Sequence, residues 1–402
     1  MLPAFSAAEI LGANAALVVN AASVRLNSRL FIAFSLLSAL IFGFLMRVIP
    51  TQRIAWLILF AYFPAVGQNR PGSSWKFAVS GDSRDCGDIV MPAIAADVVK
   101  SGSVFYWHLG DFRAIYKLDE DMSPPAELGL HNKPLDTATY LKEAWPDFIK
   151  HQIVPFGTLP VYLVIGNHEP VPPMSREAWL VQFADWLETP ALRARRLKDD
   201  PTDHKLHGYY HWMERTIDFI TLDNATPDQF DPDQMKWLHA VLARDEASPE
   251  VRTIVVGMHE ALPDSVSRIH SMNEGPLSEK SGREAYEALW HAQDVAHKRV
   301  YVLASHSHYY IDHIFETASW KDKVLPGWII GTAGAVRYKL PPETTAAQHA
   351  QTNVYGYMIA TVTPAGEVSF DFQRLTLEQL RDANGSAYPE PLIRWCYENN
   401  HQ

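Results

Sequence analysis

The sequence predicts an α/β protein, and within that class a four-layer α/β/β/α sandwich of two mixed sheets flanked by helices. Short continuous apolar runs, typical of strands buried on both faces, recur from residue 75 onward. Segments with helical periodicity separate them, so the order is largely βαβα. The strands outnumber what one sheet holds comfortably, which predicts two sheets packed face to face.

The predicted strands and helices alternate through most of the chain. The strands are expected at 75–80, 104–109, 159–165, 216–223, 253–258, 299–304, 328–334, 355–363 and 367–375. The helices are expected at 89–100, 137–151, 175–197, 232–246 and 281–296. Pro364-Ala365-Gly366 predicts a hairpin between the last two strands. Residues 75–375 would thus form one domain, preceded by a linker at 68–74 and followed by a polar tail with a short helix at 376–402.

Two uncharged apolar stretches precede this domain. Leu30 to Met46 has 17 residues, which is the short end of what a membrane span needs. Ile54 to Val66 has 13 residues and follows a short basic segment, as in the apolar part of a signal peptide. Ala65-Val66-Gly67 then supplies a small-x-small cleavage site.

These features predict that residues 46–67 are a signal peptide and that translation begins at Met46, with 1–45 an upstream extension. The alternative keeps 1–45 and makes Leu30 to Met46 a membrane anchor, so that residues 30–66 contact the membrane. Either reading places the domain that follows outside the cytoplasm. We therefore expect a secreted or periplasmic protein, or a membrane-anchored one with an extracytoplasmic domain.

The net charge bears on nucleic-acid binding, and the cysteines bear on zinc binding and disulfide formation. The net charge of −11, from 35 basic and 46 acidic residues, provides no broad cationic surface, so a nucleic acid is not expected as partner. The two cysteines, Cys86 and Cys396, match no zinc pattern. They could form one disulfide in an oxidising compartment or remain two buried thiols, and the sequence leaves both open.

Five predicted strands end in side chains that bind metal ions. The segments are GDSRD (81–85), GDFRA (110–114), GNHE (166–169), MHE (258–260) and SHSH (305–308). The carboxyl ends of strands in an α/β sheet converge on one crevice, so these residues can meet there. Two divalent ions about 3.5–4 Å apart need a shared anionic bridge and neutral ligands around it. Asp, Asn and His in these proportions meet that need.

The ordered motifs resemble those of the calcineurin-like metallophosphoesterase family over roughly residues 75–310. The resemblance implies that Asp82 binds the first metal, that Asp111 bridges both, and that His308 completes the first site. Asn167, His259 and His306 would hold the second metal. It also implies two divalent or trivalent ions of Mn, Fe or Zn, among which nitrogen and oxygen ligands do not select.

The resemblance further implies a mechanism in which a metal-bound hydroxide attacks phosphorus in line. His168 would protonate the leaving oxygen or stabilise its charge. Glu169, the next residue, is expected to orient backbone or imidazole groups rather than to bind metal.

The first motif departs from the family pattern. The family has DxH, whereas Asp82 is followed by Ser83 and Arg84, so one imidazole ligand is missing. Purple acid phosphatases also lack that His and use a Tyr three residues after the bridging Asp, where this chain has Ala114. Tyr116 could substitute only through a bulged loop. Without an imidazole or Tyr ligand in that place, the first ion would have only Asp82, Asp111 and His308 as ligands. It would then bind weakly or take a water molecule as a further ligand.

Arg84 and the substrate remain to be assigned. Arg84 would lie at the crevice, where its fork of donors could bind a substrate phosphate oxygen or form an ion pair. The expected reaction is hydrolysis of a small-molecule or exposed phosphate ester, with a monoester favoured because the first-motif His is absent, as in purple acid phosphatases. The alternatives are a phosphodiesterase and a non-catalytic binding protein with an incomplete first metal site. His168 argues against a pure binder, and the oligomeric state stays open.

Overall fold

A computed structural model describes residues 72–130, 135–225, 227 and 229–402. The predicted extension or anchor at 1–45 and the signal peptide at 46–67 lie outside the described residues, as does most of the linker. Within the part of the chain that is described, no helix is both long and apolar enough to cross a membrane.

The first sheet combines three strands of the amino-terminal half with two strands near the carboxyl terminus. Its strands are β1 (Trp75–Ser80), β2 (Tyr106–His108), β3 (Val161–Leu163), β10 (Gly356–Val362) and β11 (Val368–Arg374). They lie in the order β11-β10-β1-β2-β3. Because β1, β2 and β3 are parallel, their carboxyl ends lie at the same edge. β10 and β11 form the predicted antiparallel hairpin, which is confirmed.

The second sheet carries six strands of the carboxyl-terminal half. They are β4 (Tyr210–Glu214), β5 (Ile217–Thr221), β6 (Thr253–Gly257), β7 (Arg299–Ala304), β8 (Tyr310–Asp312) and β9 (Gly327–Ile330). Their order is β4-β5-β6-β7-β9-β8, with β5, β6, β7 and β9 parallel. The antiparallel edge strands β4 and β8 were not predicted, because neither forms a continuous apolar run.

The helices cover the outer faces of the two sheets. They are α1 (Gly87–Ser101), α2 (Thr137–Phe148), α3 (Arg176–Gln182), α4 (Ala184–Leu187), α5 (Pro190–Asp199), α6 (Pro232–Ala247), α7 (Pro276–Asp294), α8 (Leu377–Asn384) and α9 (Glu390–Asn399). The predicted helix at 175–197 is three helices. Pro190 starts the last of them, behind a Thr189 side chain that accepts the Leu192 amide hydrogen bond.

Three apolar clusters define the layers. The middle cluster lies between the sheets and contains Phe77 of β1, Trp107 of β2 and Phe219 of β5. Ala78 faces the opposite side, toward the cluster formed with α1, as the alternation of side chains along a strand requires. The third cluster joins the second sheet to α6 and α7. The predicted α/β/β/α sandwich is confirmed.

The carboxyl-terminal segment is more ordered than a polar tail with a short helix. Thr376 caps α8, and Leu380 and Leu392 are buried in the cluster that includes α1. Cys396 of α9 forms a disulfide with Cys86, which directly precedes α1. Of the two states that the sequence left open, the structure has the disulfide.

Candidate metal centre

All five motif loops meet where the carboxyl ends of the two sheets lie side by side. Asp82, Asp111 and Asn167 follow β1, β2 and β3 of the first sheet, while the His residues follow β6 and β7 of the second. The sandwich therefore brings together side chains that are as much as 226 positions apart, which is the separation of residue 82 from residue 308.

Sharp backbone turns aim several of these side chains inward. Asp82, Asp111 and His306 have left-handed backbones, with φ of 58°, 59° and 65°. Such conformations cost about 1–3 kcal/mol each in a non-glycine residue and cluster at functional sites. Gly166 allows the close approach of two loops, because a Cβ atom there would lie 2.3 Å from Asp111 Oδ1.

We call Asp111, Asn167, His259 and His306 the second donor group. His259 Nε2 lies 3.0 Å from Asn167 Oδ1, 3.1 Å from His306 Nδ1 and 3.4 Å from Asp111 Oδ1. His259 Nδ1 lies 2.9 Å from the Leu109 carbonyl oxygen and donates to it, which leaves a lone pair on Nε2 in the neutral ring. Asn167 and His306 are partly exposed, so the group opens to solvent.

The electrostatics of the second donor group favour a cation. Burial lowers the pKa of His259, but the Asp111 carboxylate and then Asp82 outweigh burial and raise the pKa to about 10. Burial would raise the pKa of Asp111, yet nearby His168, His259 and Arg84 hold it well below its usual range. An anionic, buried carboxylate thus draws positive charge onto the neighbouring imidazole.

We call Asp82, Asp111 and His308 the first donor group; all three are almost fully buried. Asp82 Oδ1 lies 3.3 Å from His308 Nε2. Burial raises the pKa of Asp82, but His308 and then His259 lower it to about 2. Asp82 Oδ1 and Asp111 Oδ2 accept no hydrogen bond from any described residue.

The two groups fit metal ions in their chemistry. Ligand atoms that share an ion at roughly 2.0–2.2 Å lie about 3–3.5 Å from one another. The distances from His259 Nε2 to its three neighbours in the second group and the Asp82–His308 distance in the first group fall in that range. The buried carboxylate oxygens without a hydrogen-bond partner would otherwise be costly. Backbone carbonyls fix the His259 and His308 rings through their Nδ1 atoms, as outer partners of metal-binding His residues do. Asp111 belongs to both groups.

Arg84 lies inside the first donor group. It is 3% exposed, and its Nη2 lies 3.3 Å from His308 Nε2 while its Nε lies 3.8 Å from Asp111 Oδ2. Nη1 contacts both carboxylate oxygens of Asp85 at 3.3–3.4 Å. Burial lowers the pKa of Arg84, but Asp85 and Asp111 more than offset this, so the guanidinium is charged. Of the two sequence interpretations, the ion pair is present in the structure.

His168 lies at the border between the two groups. Its Nδ1 donates to the Ala114 carbonyl oxygen at 2.7 Å, and its Nε2 lies 3.6 Å from Asp111 Oδ2. Burial lowers the pKa of His168, and the Asp111 charge opposes this. The exposed Tyr116 ring packs 5.1 Å from the His168 ring, a contact with the wall of the site and not with the first donor group.

Glu169 orients the backbone of the site, as predicted. Its carboxylate accepts the amide hydrogen bonds of Asp111 at 3.0 Å, Phe112 at 2.8 Å and Gly166 at 2.6 Å. It therefore joins the loop after β2, which carries Asp111, to the loop after β3, which carries Asn167.

Two residues of the site, Asp85 and Tyr338, were not predicted from the sequence. Asp85 fixes Arg84 and accepts the Val336 amide hydrogen bond at 2.8 Å; only its place in GDSRD could have suggested it. Tyr338 stacks on His308 with ring centroids 4.0 Å apart and lies in a long loop without a periodic pattern, so no sequence signal identifies it.

The other histidines weighed in the sequence have structural or surface roles, as predicted. His108 bonds to Ser83 Oγ at 2.8 Å. His211 lies between the carboxylates of Asp199 and Asp218. His207 and His313 lie within 3.2 Å and 2.7 Å of the carboxylates of Asp203 and Glu316.

No protein-family model matches the sequence, and no curated protein matches it either. Among solved structures, the chain is similar to a purple acid phosphatase from yellow lupin (Lupinus luteus), with a TM-score of 0.50 and 15% identity over 75% of this chain. The match spans about half of the lupin chain, 52%. A dimetal phosphatase from Danio rerio has a TM-score of 0.47 and 12% identity, over 75% of this chain and 96% of that one. The lupin likeness and the two helix-flanked mixed sheets show that this chain has the fold of the calcineurin-like metallophosphoesterases.

Proposed function

We propose that this protein is an enzyme that hydrolyses a phosphate ester with bound metal. The observation that carries the proposal is the position of Asp111, a buried carboxylate shared by two donor groups and flanked by His168. The fold supports it as well, although fold alone does not assign an activity.

The second donor group is the place where we assign the required ion. Asp111 supplies one carboxylate oxygen, Asn167 an amide oxygen, and His259 and His306 one ring nitrogen each. These are ligands that Mn, Fe and Zn accept. An ion bound there would polarise a phosphoryl oxygen and make a water molecule nucleophilic near neutral pH. The partial exposure of Asn167 and His306 gives a phosphate group access to this side.

The predicted binuclear form requires that the first donor group also be filled. Asp82, Asp111 and His308 provide two carboxylates and one imidazole for a second ion. The guanidinium of Arg84 lies among the same atoms. Full occupancy by two ions therefore depends on whether Arg84 moves away.

His168 is placed to serve the leaving group. The bond to the Ala114 carbonyl fixes the ring and leaves the Nε2 lone pair beside Asp111 in the neutral form. A phosphate anion in the site would add negative charge near Nε2 and favour the imidazolium, which can then donate its proton to the leaving oxygen. A protein that only binds its ligand has no use for such a group.

Ester class and location are the finer parts of the proposal. We favour a monoester over a diester, because the first motif lacks its His as in purple acid phosphatases. We also propose that the domain works outside the cytoplasm. The disulfide between Cys86 and Cys396 supports this, because disulfides persist in oxidising compartments.

The test is the metal content of the purified full-length chain together with hydrolysis of a chromogenic phosphomonoester and a phosphodiester. Asn167→Ala should lose metal and activity, His168→Ala should lose activity alone, and the exposed His239→Ala is the matched control. Preference for the monoester would support the favoured ester class. Absence of any hydrolysis after Mn, Fe or Zn is supplied would overturn the enzyme and favour the binding protein.

A further inference from the structure

The first donor group already holds a positive charge, and that charge is part of the protein. Arg84 stands where the family pattern DxH has a metal-binding imidazole. Its side chain is 3% exposed and reaches His308 and Asp111, two of the three members of the group.

The hydrogen bonds of His308 show what its ring offers to Arg84. Nδ1 lies 2.6 Å from the Val336 carbonyl oxygen, which can only accept, so Nδ1 carries a proton. Nε2 lies 3.3 Å from Arg84 Nη2, which can only donate, so Nε2 presents its lone pair. One lone pair cannot accept this hydrogen bond and coordinate an ion at the same time.

The guanidinium is also held in place. Asp85 contacts Nη1 at 3.3 Å, and Lys117 Nζ lies 3.0 Å from the other oxygen of Asp85. The Tyr338 hydroxyl lies 3.4 Å from Nη2. Moving Arg84 out would break these contacts and leave the buried Asp85 with only Lys117 as a cationic partner among the described residues.

The charge balance points the same way. Asp82 and Asp111 are buried carboxylates that need a nearby cation. Arg84 supplies one to Asp111. Its Nε has no hydrogen-bond partner among the described residues, so one buried donor beside Asp111 remains free.

We propose that Arg84 takes the place of the first metal ion. The chain then binds one ion, in the second donor group, and the buried guanidinium provides the second positive charge. This inference rests on the proposed function and makes its centre mononuclear.

The test counts ions in the full-length wild-type chain after loading with excess Mn(II) and removal of unbound metal. Metal analysis should give about one ion per chain, and electron paramagnetic resonance should show an isolated Mn(II) rather than an exchange-coupled pair, which needs ions about 3.5–4 Å apart. Arg84→His restores DxH and should raise the count to about two, with a coupled signal. Arg268→His, which adds an imidazole on the surface, should leave the wild-type count unchanged.

The outcomes separate this inference from the proposed function. A wild-type chain with two coupled ions and phosphoesterase activity overturns the role of Arg84 and leaves the function standing. One ion in the wild type without hydrolysis of either ester supports the count and overturns the function. The wild-type measurement needs no variant to fold, and circular dichroism of Arg84→His shows whether its own count can be used.

Discussion

The two donor groups share Asp111 but balance their charge in different ways. The second donor group surrounds one carboxylate with an amide and two imidazoles and opens to solvent at Asn167 and His306. The first donor group combines two carboxylates with one imidazole, is buried throughout, and contains Arg84. A positive charge beside the buried carboxylates can thus come from a bound ion in the second group and from the Arg84 side chain in the first.

The two groups also differ in how they are anchored. The loop that carries Asp82 and Arg84 continues into Cys86, whose disulfide reaches Cys396 in the last helix. The second donor group depends instead on strand ends and on the Glu169 carboxylate, which ties the loops after β2 and β3. Changes in one anchor should therefore affect one group more than the other.

The largest change in activity is expected when one imidazole of each group is removed in turn. His259→Ala should lose the bound ion and reduce kcat/KM on the order of a thousandfold or more, because ion catalysis contributes several kcal/mol. His308→Ala should keep the ion and lose roughly 10–100-fold, the value of one hydrogen bond to a charged group. Metal analysis and phosphomonoester kinetics on both variants check this. Equal loss of metal in the two variants would break the comparison.

The next effect concerns the border between the groups. His168→Gln should lower kcat by about 10²–10⁴-fold, because general acid catalysis is lost while the ligand atoms stay. Metal content should remain that of the wild type, and a substrate with a more acidic leaving group should recover part of the rate. His239→Gln serves as the control on an exposed ring. A normal kcat in His168→Gln would refute the assigned role.

A smaller effect should follow from the partner of Arg84. Asp85→Asn removes one member of a buried ion pair, which costs about 3–5 kcal/mol of unfolding free energy. Because the freed guanidinium would lose its position, KM for the phosphate ester should rise while the ion stays bound. Urea unfolding, metal analysis and the KM and kcat values separate these effects. Asp85→Glu should restore part of the KM change, which a purely structural role would not require.

The smallest effect tests the anchor of the first loop. Replacing both Cys86 and Cys396 by Ser should lower the unfolding free energy by about 2–4 kcal/mol, because the disulfide closes a long loop. The second donor group should keep its ion, since none of its residues lies on the short segment 82–86 that the disulfide anchors. Chemical unfolding with metal analysis measures both. Loss of the ion in the double variant would show that the two groups are not independent.

The site residues that could be predicted from the sequence are those that directly follow a predicted strand. Asp82, Asp111 and Asn167 each follow a buried strand, so period and polarity alone place them at one edge. β4 was not predicted because its residues do not form a continuous apolar run. One of them, His211, pairs with Asp218 of the neighbouring strand. The packing of α8 and α9 was not predicted because it joins the end of the chain to the distant helix α1, and one of the contacts is the disulfide.

The state of Arg84 lay beyond the sequence for a physical reason. Its partners include Asp85 next in the chain, but also His308 and Tyr338, which are 224 and 254 positions away. No local pattern encodes contacts made by packing two sheets together. The sequence could show that an imidazole was missing, and only the fold shows what lies in its place.

The most direct test of the account is anomalous diffraction at the metal absorption edge from crystals of the Mn-loaded wild-type chain. The account predicts one peak, bounded by Asp111, Asn167, His259 and His306, with the Arg84 guanidinium against His308. Two peaks about 3.5–4 Å apart on either side of Asp111, with Arg84 displaced, would contradict it.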